Sequence, residues 1–321
     1  MKTNPATAFQ HSSLCVVGNI NRDIKVPAVS PDESLFRDGE NSVSAITETI
    51  GGGGANSAFT ARAFGAQVAF LGKVGADGLG RRLEQTIIRQ GIATRLAKDN
   101  IHATGTSIAL AFTNGQRHFL SCLPASRALT FDDLDLTVLA GHQHLLRADI
   151  WFSETMLKEG NLKLFQAARH AGLDLSIDLN WDPHWGHAKA DEIRMRKECV
   201  RATLPWVNVV HGNVHELKEF TEAADLNGAL KCLTGWGAEA VVVHMGDEGA
   251  GYYNGGALTV QPPAPVKSVV NTTGTGDVLS VCMMLLHRRA EIPIAERLRL
   301  ANQIVAEFME GHRQFIPTLE D

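Results

Sequence analysis

No apolar run in the 321-residue chain approaches the ~18 residues that span a bilayer, which excludes a membrane helix. There is no basic excess either. The 30 Lys and Arg face 35 Asp and Glu, a formal net charge of −5, so neither nucleic acid nor an anionic membrane is an expected partner. Five cysteines, Cys15, Cys122, Cys199, Cys232 and Cys282, lie far apart with no C-x-x-C pair, which reads as buried thiols in a reducing cytosol. Residues 1–13 are polar and lack the apolar centre of a signal peptide, so a cytoplasmic location and a disordered N-terminal tail are expected. A G-x-x-x-x-G-K-[ST] loop is missing, and no G-x-G-x-x-G opens the first strand–helix unit, which removes two common nucleotide sites. None of the 13 histidines shows H-E-x-x-H or a Cys/His zinc spacing, and there is no G-x-S-x-G elbow.

What remains is an ordinary globular composition, 44% hydrophobic, long enough for one large α/β domain or one domain with a small appendage. Leu14-Cys15-Val16-Val17 reads as a buried first strand. Residues 21–49 are rich in Asp, Glu, Ser, Asn and Pro without helical periodicity, and read as loops and exposed strands leaving the main body. Residues 55–64 and 79–89 read as helices, with a strand at 68–72 between them. Residues 104–123 alternate apolar and polar side chains about Asn114-Gly115, a hairpin signal, and with residues 21–49 they suggest a small β-layer outside the core. From Leu145 strands and helices alternate. Strands are expected at 150–152, 175–178, 207–210 and 240–243, and helices at 162–170, 191–203, 214–222 and 227–236. That rhythm predicts a parallel sheet covered on both faces, with ligands at the C-terminal strand ends.

The motifs fall at those ends. Asn271-Thr272-Thr273-Gly274-Thr275-Gly276-Asp277 follows a strand-like 266–270 and opens an apolar helix. Small residues there let backbone N–H groups converge on an anion, most naturally a phosphate. Asp277 is then either a general base for a substrate hydroxyl or a plain helix cap. Gly51-Gly52-Gly53-Gly54-Ala55-Asn56 opens another helix, and is either a close-approach site or a hinge. Asn21 and Asp23 leave the first strand as short acceptors for hydroxyls, or as an Asx-rich turn. Asn213 and Glu216 share one face of a helix's first turn, as oxygen ligands for hydrated Mg²⁺ or as a capping box. His244-Met245-Gly246-Asp247-Glu248-Gly249 is a nucleotide-lining loop or a hairpin turn, and Glu154 is a hydroxyl-binding acid or a surface one.

In this order the motifs resemble the ribokinase-like (PfkB) carbohydrate kinase family over nearly the whole chain, residues 14–317. The N-terminal signature is similar to Gly51 through Gly80, the C-terminal one to Asn271 through Asp277, and the N-x-x-E motif to Asn213 through Glu216. The resemblance implies a doubly wound, mostly parallel α/β domain with a small β-sheet lid at about 23–50 and 104–123. It implies Asp277 as general base and Gly274, Thr275 and Gly276 as anion hole. It puts Asn21, Asp23, Gly52, Gly53, Asn56 and Glu154 at the sugar, and Asn213, His244, Gly246, Gly249 and Asn302 at the nucleotide, with Glu216 near Mg²⁺ through water. Asn271 stands where the family has an acid that helps hold a monovalent cation; an amide oxygen can still ligate K⁺, so Asn271 and Thr273 are the K⁺ candidates. Gly53 replaces a lysine found in ribokinase proper, and His244 replaces a small threonine. The implied activity is ATP-dependent phosphorylation of a primary hydroxyl of a sugar or sugar-like polyol by a homodimer paired through its lid. A nucleoside kinase is the alternative, with Phe36, Phe112 or Phe119 stacking on the base. A non-catalytic sugar or nucleotide sensor is the other.

Overall fold

The computed structural model describes residues 8, 9, 11–32, 35, 37–114, 116–270 and 273–319. Residues 1–7 of the expected tail, Phe36, the turn residue Gly115 and the K⁺ candidate Asn271 lie outside them. Among the described residues the strands are β1 (Ser13–Val17), β2 (Asn21–Val29), β3 (Thr47–Gly51), β4 (Gln67–Gly75), β5 (Ala93–Asp99), β6 (Thr106–Phe112), β7 (Arg117–Cys122), β8 (His144–Arg147), β9 (Asp174–Asp178), β10 (Val209–Asn213), β11 (Ala240–His244), β12 (Ala250–Tyr253) and β13 (Thr259–Gln261). Nine of them form one sheet in the order β13-β12-β11-β10-β9-β8-β1-β4-β5, and four form a second in the order β3-β2-β6-β7. From β11 to β5 every pairing is parallel, while β12 and β13 are added antiparallel.

Among the described residues the α-helices of eight or more residues are α1 (Gly53–Ala63), α2 (Gly78–Arg89), α3 (Asn161–His170), α4 (Ala190–Arg201), α5 (Val214–Thr221), α6 (Leu226–Gly235), α7 (Thr275–Leu285) and α8 (Ile294–Met309). One hydrophobic cluster lies on each face of the large sheet, as continuous Val/Leu/Ile strands require. Val16, Val209 and Val242 point to the face that carries α1, α7 and α8, whereas Val17, Val210 and Val243 point to the other. Each fully buried side chain of this kind contributes ~1.5–3 kcal/mol. The chain is a doubly wound α/β fold with a small extra sheet. Its strand order reverses between β1 and β8, which opens the crevice where such folds take ligands.

Of the five thiols expected to be buried only Cys15 and Cys282 are, while Cys122 is exposed on the small sheet's edge strand β7. Three further local expectations fail. The strand expected at 150–152 is β8, six residues earlier; Ile150 and Trp151 are buried in a turn after it. Buried His144 and Arg147 hid β8. Arg147 fits because its guanidinium donates to Asn161 Oδ1 (2.8 Å) and to the carbonyls of Val17 and Ala148. Residues 266–270 are no strand: Val269 and Val270 are exposed, and Pro263 and Pro265 just before them break pairing. The tail does not run loose to Ser13. Ala8 and Phe9 are buried, Phe9 stacks on Phe64 with ring centroids 4.7 Å apart, and Ala8 O accepts from Arg289 (2.7 Å).

Candidate active site

The crevice is built on glycines because two backbones nearly touch there. A Cβ on Gly54 would stand 2.7 Å from Gly18 Cα, and one on Gly51 would overlap the Asp23 carboxylate at 2.0 Å. Gly52 holds φ +97°, open to glycine at little cost. Asp149, just past β8, fastens the arrangement. Its carboxylate accepts from the N–H groups of Asn19 (2.8 Å), Gly54 (2.9 Å) and Gly53 (3.3 Å), so it caps α1 while buried.

Against this floor the small sheet presents β2. Asn21 Nδ2 donates to Asp23 Oδ1 (2.7 Å) and reaches Ser107 Oγ (3.4 Å), which in turn meets Ser121 Oγ at 2.8 Å. The register Asp23–Ser107–Ser121, then Lys25–Ala109–Phe119, puts Phe119 on the same face of that sheet as Asp23. Burial pushes the Asp23 carboxyl up, partly countered by the Asn21 hydrogen bond.

Asp277 closes the other side. Gly274 in the left-handed region (φ +90°) turns the chain into α7, and Val278 N–H bonds back to Gly274 O (3.0 Å). The first-turn amides of a helix lack partners within it and favour an anion at that end. Asn56 Nδ2 donates to Asp277 Oδ2 at 3.1 Å, across 221 residues of sequence. Asn56 Oδ1 is buried with no partner among the described residues, an acceptor suited to a hydroxyl. Burial lifts the Asp277 carboxyl to about 7, and the charges of Asp149 and Glu216 add to the lift against the Asn56 bond. Two residues were invisible to sequence reasoning at this point. Asp149 was masked by the misplaced strand. Buried Asp178, at the end of β9, is pushed far up by burial and by Asp277 and Glu216, and it meets Ser280 Oγ at 3.2 Å.

Asn213 and Glu216 form a reciprocal capping box on α5: Asn213 Oδ1 accepts from Glu216 N (2.9 Å), and Glu216 Oε2 accepts from Asn213 N (2.8 Å). The local reading is therefore realised, yet Glu216 also lies close enough to raise Asp277. Among the described residues no three His, Cys, Asp or Glu side chains are grouped to hold a bare ion. Glu216 is a single hard oxygen donor near Asp277, of the kind Mg²⁺ takes alongside its waters and phosphates.

Behind the α7 start lies a cavity of about 550 Å³ that brings His244, Gly246, Gly249 and Asn302 together with Thr275, Gly276, Val266, Val269 and Met309. Asn302 acts there mainly on the wall: its Nδ2 donates to the carbonyls of Gln261 (2.9 Å) and Pro262 (2.8 Å). Asn213 does not line this cavity. Glu154 joins neither group. Its half-exposed carboxylate is engaged by Arg196 and by Lys158 (3.5 Å), because the turn after β8 carries it away and leaves Asp149 at the strand end. Thr273 is half-buried just ahead of α7.

Residues 11–306 match the family described as pfkB family carbohydrate kinase, and the chain belongs to that family. Among individual relatives, it is 28% identical over 170 residues to the cytidine kinase of Thermococcus kodakarensis, covering 52% of this chain and 58% of that one. It is 27% identical over 234 residues to a fructokinase of Salmonella typhimurium, covering 72% and 75%. The structure of Arabidopsis thaliana ribokinase complexed with ribose and ATP superposes with a TM-score of 0.72 at 21% identity, covering 93% of each chain. No helix among the described residues is long and apolar enough to cross a membrane.

Proposed function

We propose that the chain transfers the γ-phosphoryl group of ATP to a primary hydroxyl of a sugar or sugar-like polyol. One observation carries this reading. Asp277, raised to about 7 and tied to Asn56, stands at the helix end shared by the acidic crevice and the 550 Å³ cavity. A hydroxyl held by Asn21, Asp23, Asn56 and the Gly52-Gly53 backbone gives its proton to Asp277. Its oxygen forms the new bond to the γ-phosphorus as the bond to the β-phosphate oxygen breaks and ADP leaves. The Gly274, Thr275 and Gly276 amides take up charge developing on the transferred group. Glu216 would hold Mg²⁺ through water, and the bound ion would supply further positive charge. Closure of the small sheet over the crevice excludes water, which would otherwise compete as acceptor.

A nucleoside acceptor is the second reading. The half-exposed ring of Phe119 on the Asp23 face favours it, as does the similarity to a cytidine kinase. The test is ADP release from Mg-ATP with ribose, fructose, 2-keto-3-deoxygluconate, cytidine, inosine and adenosine, with and without K⁺. Turnover with a free sugar supports the first reading, and turnover with ribosides alone supports the second. Silence with every acceptor, while ligands still bind by calorimetry, supports a sensor. A rise with K⁺ supports the cation site at Asn271 and Thr273. Ile108 and Leu120 are exposed on the other face of the small sheet, which supports pairing of two copies there. A monomer by sedimentation at micromolar concentration contradicts that pairing.

A further inference from the structure

His244 ends β11 with one ring nitrogen inside the protein and the other toward the nucleotide cavity. Nε2 meets Ser280 Oγ at 3.1 Å, and Ser280 Oγ meets Asp178 Oδ2 at 3.2 Å, with Ser280 fully buried and Asp178 nearly so. Nδ1 faces Gly276: a Cβ there would stand 3.1 Å from it. No hydrogen bond to Nδ1 occurs among the described residues, and His244, Thr275 and Gly276 line the same cavity. The chain Asp178–Ser280–His244 thus runs from the back of the crevice to the cavity wall at Gly276.

Ser280 has one proton to give, and this couples the two ends. If Asp178 is a carboxylate, Ser280 donates to it. His244 must then donate Nε2–H to Ser280, and a bare Nδ1 lone pair faces the cavity. If Asp178 is a carboxylic acid it donates to Ser280, Ser280 donates to Nε2, and Nδ1 carries the proton outward. Only the second arrangement attracts a phosphate oxygen. Burial and the neighbouring carboxylates of Asp277 and Glu216 push the Asp178 carboxyl well up, which favours the second arrangement, and burial pushes the His244 ring down to about 4.

We propose that Ser280 and Asp178 are positioning residues that fix the Nδ1–H tautomer of His244, making it a hydrogen-bond donor to nucleotide phosphate. The inference rests on the nucleotide reading of the cavity, so its test separates the two. The first readout needs no ligand or turnover. In ¹⁵N spectra assigned through His244→Gln, His244 is expected to show a protonated Nδ1 and a bare Nε2 near neutral pH. The opposite tautomer would overturn the inference.

The second readout is calorimetry with a non-hydrolysable Mg-ATP analogue and with adenosine. Ser280→Ala is expected to weaken the analogue about tenfold, the worth of one charge-assisted hydrogen bond, and to leave adenosine within twofold. Asp178→Asn keeps an N–H donor for Ser280 and is expected to retain analogue binding within threefold, whereas Asp178→Ala loses it as Ser280→Ala does. Equal loss of analogue and adenosine would mark a packing role and overturn the inference. Wild-type protein that shows the expected tautomer but binds no analogue would overturn the nucleotide reading instead.

Discussion

The elevated Asp277 carboxyl has a direct kinetic consequence. A general base works only when ionised, and kcat/KM for the acceptor reports the free enzyme. With the group at about 7, roughly one molecule in eleven is competent at pH 6 and roughly ten in eleven at pH 8. At saturating Mg-ATP, kcat/KM should therefore climb about tenfold over those two units, on a limb of unit slope. The sign follows from the cause: burial and the charges of Asp149 and Glu216 disfavour the carboxylate, so activity is lost on the acid side. The Asn56 bond at 3.1 Å works the other way. Asn56→Leu removes a hydrogen bond to a charged group, worth ~1.5–3 kcal/mol, and should move the limb up by about one to two units. The assay is initial-rate ADP release from pH 5.5 to 9 in a constant-ionic-strength buffer. A flat profile, or a limb near the ordinary carboxylate range, would refute the placement of a buried base at the α7 end.

Other consequences are separable. Asp277→Asn should stabilise the fold, because an acid raised from 3.8 to about 7 destabilises the native state as pH rises through that window. A gain of about 1–3 kcal/mol at pH 8, shrinking toward pH 4, is expected in urea denaturation. Gly54→Ala forces a Cβ to 2.7 Å from Gly18 Cα, where only backbone can give way; a loss of about 1–3 kcal/mol and of acceptor binding should follow in the same denaturation assay and in KM. Asn302→Ala frees the carbonyls of Gln261 and Pro262 on the cavity wall, and should raise KM for ATP several-fold with kcat nearly kept.

The parallel sheet and the glycine-opened helices were readable because glycine, Asx and apolar runs act locally. The helix expected from Ala55 begins two residues earlier, at Gly53, since Gly is a poor helix former that tertiary contacts nevertheless hold in the first turn. Strand β8 escaped because His144 and Arg147 look like surface residues, and their burial depends on partners such as Asn161. Missing β8 hid Asp149 and drew attention to Glu154 instead. Ser280 was one small residue in an apolar helix, and only a contact with Asp178, 102 positions away, gives it meaning. The capping box of Asn213 and Glu216 shows the reverse case, in which a local reading is correct without settling what the carboxylate meets across the crevice.

The most direct test of the account is turnover by Asp277→Asn with whichever acceptor proves active. The account predicts a fall in kcat of ~10²–10⁴ with Mg-ATP binding intact by calorimetry and a native circular-dichroism spectrum. Near-normal turnover by a folded, nucleotide-binding Asp277→Asn protein would contradict it.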